Sequence, residues 1–261
     1  MTTRLSHAAF ACLLLMGLTA LVNAQTAADN PTGVTGVYNG NITTAGSYDP
    51  FTGNQMRVVD DLVVQGSVGA YPLKWTRYYN TNVQDGQWTF SYKDYKDDAL
   101  NFNIFLPDGR HVGQSASDGK GVPDYGVPFP LDGRTYPGIF LSDGGQVLFK
   151  GNTARPVGLV DPYGQMTQIT YADVGSGNIQ MDKVIEPGGR YLQLSWQASP
   201  ATSGGYVISK VEAFDGQGNS LGWVQYSWSA SVEQHGLYAR LDQATYADGT
   251  SAHYTYGKDT L

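Results

Sequence analysis

From residue 56 onward, apolar side chains recur at every second position and nowhere hold helical spacing for three turns. Successive strand residues point to opposite faces, so such a run has one face to bury and one to leave in water. Tyr71, Leu73 and Trp75 alternate with Pro72, Lys74 and Thr76, and Trp88, Phe90 and Tyr92 alternate with Thr89, Ser91 and Lys93. Leu100, Phe102, Ile104 and Leu106 follow the same rule. With 33 Gly and 12 Pro in the chain, a helix breaker interrupts nearly every window long enough for a helix. The pattern predicts an all-β fold.

From residue 141 a longer period emerges. Asp161-Pro-Tyr-Gly164, Glu186-Pro-Gly-Gly189 and Tyr246-Ala-Asp-Gly249 read as turns, and each leads into an alternating run that closes on a large ring. The rings, Tyr171, Trp196 and Tyr256, all fall seven residues after the turn glycine. A fourth copy, Gly218 with Tyr226 and Trp228, carries an extra residue, and a bulge at Gly222 would restore the facing. The turn glycines lie 25, 29 and 31 residues apart, within the range of repeat architectures. The expectation is a strip of antiparallel β-hairpins whose rings come side by side, each burying roughly 150–250 Å².

Residues 1–24 read as a secretory leader: Arg4, an apolar run from Ala8 to Val22, and a small-residue cleavage site at Val22-Asn23-Ala24. The run is shorter than the roughly 20 residues that span a bilayer, so no transmembrane segment is expected after the leader is removed. The destination is outside the cytoplasm, secreted or in the cell envelope. Cys12 is the one cysteine and lies in this leader, which leaves the exported chain no disulfide and no thiol nucleophile. Residues 25–55 form a Gly/Thr/Asn-rich lead-in, 56–140 an N-terminal β region and 141–261 the repeats. Within the second, residues 107–140 carry Pro107, Pro123, Pro128, Pro130 and Pro137 among Asp-Gly pairs and read as a turn-rich loop. Sixteen basic residues against 23 acidic, net −7, with no basic cluster, exclude nucleic acid as a partner.

Four sets of residues could carry chemistry. Gly218-Asn-Ser220-Leu-Gly222 fits G-x-S-x-G, with Asp242 and His253 following in hydrolase order, but Trp223–Trp228 alternates as a strand where that chemistry needs a helix. Asp118–Asp124 resembles a calcium loop with Lys120 where a carboxylate is wanted. Asp60-Asp61 and Asp94, Asp97 and Asp98 could pair as acid and base, yet neighbours on opposite strand faces read as solvated acids. His111, His235 and His253 lack metal-ligand spacing. No catalytic, cofactor-binding or metal residue is assigned, and no cofactor is expected.

The turn-and-ring repeats resemble the RHS/YD-repeat family, named for a Tyr-Asp motif in the strand after each glycine turn; Tyr171-Ala-Asp173 comes closest. Asp49-Pro50, Thr52-Gly-Asn54, Asp61-Leu62, Gly69, Pro72-Leu73, Arg77, Tyr79-Asn80, Gly86, Trp88 and Tyr92 follow the order of that family's entry segment, so the resemblance covers residues 48–258. It implies a partial β-shell wound from hairpins, exported to the cell surface or beyond, sometimes part of a toxin-delivery shell, without catalysis of its own. The alternative it carries is a carbohydrate-binding surface protein. The partners expected are surface carbohydrate and further repeats, or a second chain, pairing with the C-terminal edge. Only five residues follow Tyr256, too few for another strand pair.

Overall fold

The computed structural model describes residues 56–80, 88–93, 96–98, 103–107, 111–112, 125–131, 134–141, 143–150, 155–202, 204–233 and 236–256. The leader, the lead-in, the Asp118–Asp124 loop, Asp94 and His235 lie outside the described residues. Within them the protein is all-β, with seventeen strands and no helix. β1 (Met56–Val63), β2 (Lys74–Asn80) and β3 (Trp88–Phe90) form one antiparallel sheet. β4 (Lys96–Asp98), β5 (Asn103–Phe105) and β6 (His111–Val112) form a second.

The third sheet is a single antiparallel meander of eleven strands in which every strand pairs only with its chain neighbours. It runs β7 (Tyr125–Leu131), β8 (Arg134–Phe140), β9 (Gln146–Phe149), β10 (Pro156–Val160), β11 (Met166–Asp173) and β12 (Ile179–Ile185). It continues with β13 (Tyr191–Ala198), β14 (Tyr206–Phe214), β15 (Ser220–Glu233), β16 (Gly236–Tyr246) and β17 (Ser251–His253). Two of its strands, β7 and β8, arise where prolines suggested a loop. Pro128 and Pro130 are tolerated because β7 is the terminal strand, where a missing N–H leaves no ladder bond unmade. Pro137 lies where the β7–β8 register shifts, just before the β8–β9 pairing begins at Gly138.

Every second connection is the same five-residue turn: Leu141–Gly145, Asp161–Gln165, Glu186–Arg190, Asp215–Asn219 and Tyr246–Thr250. In each, the first N–H donates to the fifth carbonyl and the fourth N–H to the first carbonyl. The fourth residue is always glycine with a left-handed backbone, φ 88°, 82°, 85°, 87° and 83° at Gly144, Gly164, Gly189, Gly218 and Gly249. This is the three-residue hairpin loop closed by a left-handed glycine. Four copies are those expected from the sequence; the Gly144 turn is a fifth.

Far from the turn, each of the last four hairpins closes in one way. The ring at its end donates to a carbonyl on the partner strand: Tyr171 to Pro156 (2.8 Å), Trp196 to Met181 (2.7 Å), Trp228 to Ile208 (2.7 Å) and Tyr256 to Leu241 (2.9 Å). Each acceptor sits immediately before a β-bulge, the unpaired residues being Val157, Asp182, Ser209 and Asp242. A bulge disrupts the ladder locally, and the ring tip supplies a donor at that point. In the β14–β15 hairpin the ring so used is Trp228, not Tyr226. Ile208 precedes Gly218 by ten positions, where Met181 precedes Gly189 by eight. Trp228 follows by ten, and the odd residue is a bulge on Leu221, beside Gly222. Two added residues per strand preserve the facing because the period is two.

The β1–β3 sheet lies on one face of the meander. Val64, Leu73, Trp75, Phe90 and Tyr92 join Ile169, Met181, Val184, Leu192, Leu194, Ile208, Val211, Val224, Tyr226 and Leu241 in one core cluster. Trp75 stacks on Phe90 at 5.6 Å, and Phe90 meets Tyr226 at 5.7 Å and Trp228 at 6.3 Å. Trp196 shares the face of Leu192 and Leu194 and is half-buried at the margin of this core.

Two glycines separate conformational from contact effects. A Cβ at Gly189 would meet nothing within 4 Å, so Gly189→Ala is expected to cost only the left-handed backbone, about 1–2 kcal/mol. A Cβ at Gly145 would run into the Tyr71 hydroxyl and come within 2.8 Å of the Val160 carbonyl oxygen. Gly145→Ala should therefore be the more damaging of the two in urea titrations, although Gly145 needs no left-handed conformation; a smaller loss than for Gly189→Ala contradicts this packing.

Candidate functional site

The densest polar cluster lies where the β1–β3 sheet meets the last two hairpins. Asp61 reaches it through a β-bulge: Asp60 pairs with Thr76 and Leu62 with Trp75, leaving Asp61 as the extra residue. The bulge re-aims its carboxylate into the core while Asp60 stays outside with Lys74 (3.1 Å) and Thr76 (2.6 Å). Asp61 was expected to be a solvated acid; its side chain and that of Arg77 both have zero exposure. Arg77 grips it twice, Nε to Oδ2 and Nη2 to Oδ1 (2.9 Å). Tyr226 donates to Oδ2 (2.5 Å) and Tyr246 to Oδ1 (2.8 Å), while Trp75 Nε1 donates to the Tyr226 oxygen (2.9 Å). Arg77 Nη2 also donates to the Tyr254 oxygen (2.9 Å).

Arg77 Nη1 is buried without a hydrogen-bond partner. The guanidinium lies 4.7, 5.1 and 5.5 Å from the centroids of Trp88, Tyr254 and Tyr226, so ring faces stand where an acceptor would. Burial disfavours the cation, but the Asp61 carboxylate outweighs it and the arginine pKa is raised. Burial also pushes the neighbouring phenols up: Tyr226 well above its ordinary value, with the Asp61 charge adding to the effect, and Tyr246 to about 12. Each Asp61 oxygen thus accepts two hydrogen bonds, one from Arg77 and one from a phenol.

At the opposite end, the loop between β1 and β2 crosses the turns. Tyr71 donates to Asp143 (2.9 Å), Ala70 N to Asp161 Oδ2 (2.8 Å) and Val68 N to Glu186 Oε2 (3.2 Å). Arg190 is paired with Glu186 and donates to the Gln65 and Gly66 carbonyls, both at 2.7 Å. Burial pushes the Asp161 carboxyl up. Three backbone N–H groups, from Ala70, Gln165 and Tyr163, more than reverse this and hold it below the usual carboxylate range.

The hydrolase residues are not brought together by hydrogen bonds. Ser220 Oγ opens β15 and donates to Glu212 Oε1 (2.7 Å), Asp242 accepts from Ser229 (2.8 Å), and His253 meets Ser251 (3.3 Å). Asp97, Asp98 and His111 lie on β4 and β6. Among the described residues no group of three His, Cys, Asp or Glu is placed to hold a metal, and no helix is long and apolar enough to cross a membrane. Two rings of the meander, Tyr191 and Trp223, have partners on neighbouring strands. Tyr191 stacks on Phe214 at 5.0 Å from one neighbouring strand and takes Lys183 Nζ at 4.8 Å from the other. Lys210 Nζ lies 5.4 Å from the Trp223 centroid.

No protein-family model and no curated protein matches this chain.

The raised phenols fix a pH dependence. An unfolded tyrosine ionises near 10, whereas Tyr246 and Tyr256 are pushed up to about 12, chiefly by burial. Their contribution is therefore complete below about pH 10 and is lost as pH rises toward 12. Stability measured by urea titration should be flat from pH 8 to 9.5 on this account and fall steeply above about 10; a flat profile through 12 contradicts the buried hydroxyl network.

Proposed function

We propose that this protein is an exported, non-catalytic structural module, a strip of β-hairpins of the RHS/YD kind that forms the opening part of a β-shell. The observation that carries the reading is the fourfold hairpin unit, with its left-handed turn glycine and a ring tip bonded to the carbonyl before a bulge. A device repeated at this spacing serves assembly of a continuous sheet, not chemistry at one point. The export reading draws on the leader composition of residues 1–24.

The natural partner in this role is a further hairpin of the same kind, from a continuing or a second chain, added at β17. The two edges of the meander differ in a way that favours addition there. β7 carries Pro128 and Pro130, which blunt an edge. β17 carries no proline or lysine. Tyr254 N is bonded inward to the Asp242 carbonyl, so by alternation Ser251, His253 and Thr255 turn their backbone groups outward.

Residues 25–261 in isolation are expected to self-associate at micromolar concentration through this edge. Thr255→Pro, which removes an outward donor, should return the protein to a monomer in sedimentation velocity. A wild-type monomer across the micromolar range, or association that Thr255→Pro leaves untouched, would sink the reading.

A further inference from the structure

We propose that the β1–β2 hairpin is a diagonal clasp that ties the first turns of the strip to its last hairpins and makes the whole strip unfold as one unit. In a repeat strip each unit touches only its neighbours, so stability is a sum of local terms and the ends open first. The eleven-stranded ladder obeys that connectivity. The clasp does not.

Its loop end lies on the early turns. Tyr71 is held by Asp143 in the first turn, Ala70 by Asp161 in the second, and Val68, Gly66 and Gln65 by Glu186 and Arg190 in the third. The chain thus crosses successive turns in order. The first residue of the second and third turns is a carboxylate turned on the loop backbone. Asp215 holds the same place in the fourth turn but bonds only its own turn, to Gln217 N, Asn219 N and Asn219 Nδ2. By then the loop has become β1 and run inward. The strands of the clasp lie on the late hairpins, where Asp61 and Arg77 engage Tyr226 on β15, Tyr246 on β16 and Tyr254 after β17.

One rigid two-stranded element therefore has charged anchors on its loop and on its strands, and it ties the hairpins of the first two turns to β15–β17, with which they share no ladder contact. Opening the last hairpin strands the Asp61–Arg77 pair, and opening the early turns releases the loop that holds that pair in place. Neither end can fray without cost at the other. This inference concerns folding cooperativity and stands whether or not the shell reading holds.

Native-state hydrogen exchange on residues 25–261 tests it. In wild type, the amides of Gly164 in the second turn and of Tyr246 and Gly249 in the fifth should converge on one urea dependence. Separate, lower-energy opening of the fifth turn overturns the clasp. Arg190→Lys keeps the charge but loses the fork on the two loop carbonyls. It should lower protection of Tyr246 and Tyr254, two hairpins further along the strip, by about tenfold, the same factor as at Gly164. A loss confined to the third turn and its neighbours, or no loss anywhere, overturns it equally.

Discussion

The structure depends on one ion pair whose side chains are fully buried. Asp61 and Arg77 both have zero side-chain exposure, and burying an isolated charge costs several kcal/mol after relaxation. What makes the pair tolerable is the number of groups converging on it: two arginine nitrogens and two phenols on the carboxylate, and three ring faces around the guanidinium. Those phenols come from the last hairpins, while the charges come from the first. A wrongly seated N-terminal sheet would leave a charge buried and unmatched, so the pair selects one docking position as much as it stabilises it.

The strip itself rests on a different economy. Hydrophobic burial on one face is non-directional and would accept many registers. Bulges between successive hairpins give a register that the ladder alone does not, but each interrupts the backbone bonding. The ring tips resolve the conflict by donating to the carbonyl beside each bulge, so one side chain both packs against the core and supplies a hydrogen bond. Trp228 takes this part in the longest hairpin because two extra residues on each strand move the closing position outward without changing its face. Tyr226 is thereby freed for Asp61 and Trp75.

The all-β fold, the turn glycines and three of the closing rings were legible in the sequence because alternation and left-handed glycine are local properties. Asp61 was not. Beside Asp60 in an alternating run it reads as one of two surface acids, and only the bulge against Thr76 and Trp75, a property of the partner strand, turns it inward. The strands at 125–140 were hidden by prolines whose effect depends on whether a strand is central or at an edge, which is a tertiary fact. The Gly144 turn was not legible because no ring follows it at the spacing of the others. Asp161 and Glu186 were legible as turn formers, but their second role on the Val68–Ala70 backbone depends on a loop some ninety or more residues upstream.

The buried pair acts as a unit, and its two charges are worth little apart. A double-mutant cycle on Asp61→Leu and Arg77→Met, read by urea unfolding, tests it most directly. Each single change should cost about 3–5 kcal/mol, because it leaves the other charge buried without its partner. The double variant should cost far less than the two together, giving a coupling of at least about 2 kcal/mol. Single costs that simply add would contradict the account, since the two side chains would then be holding the N-terminal sheet independently.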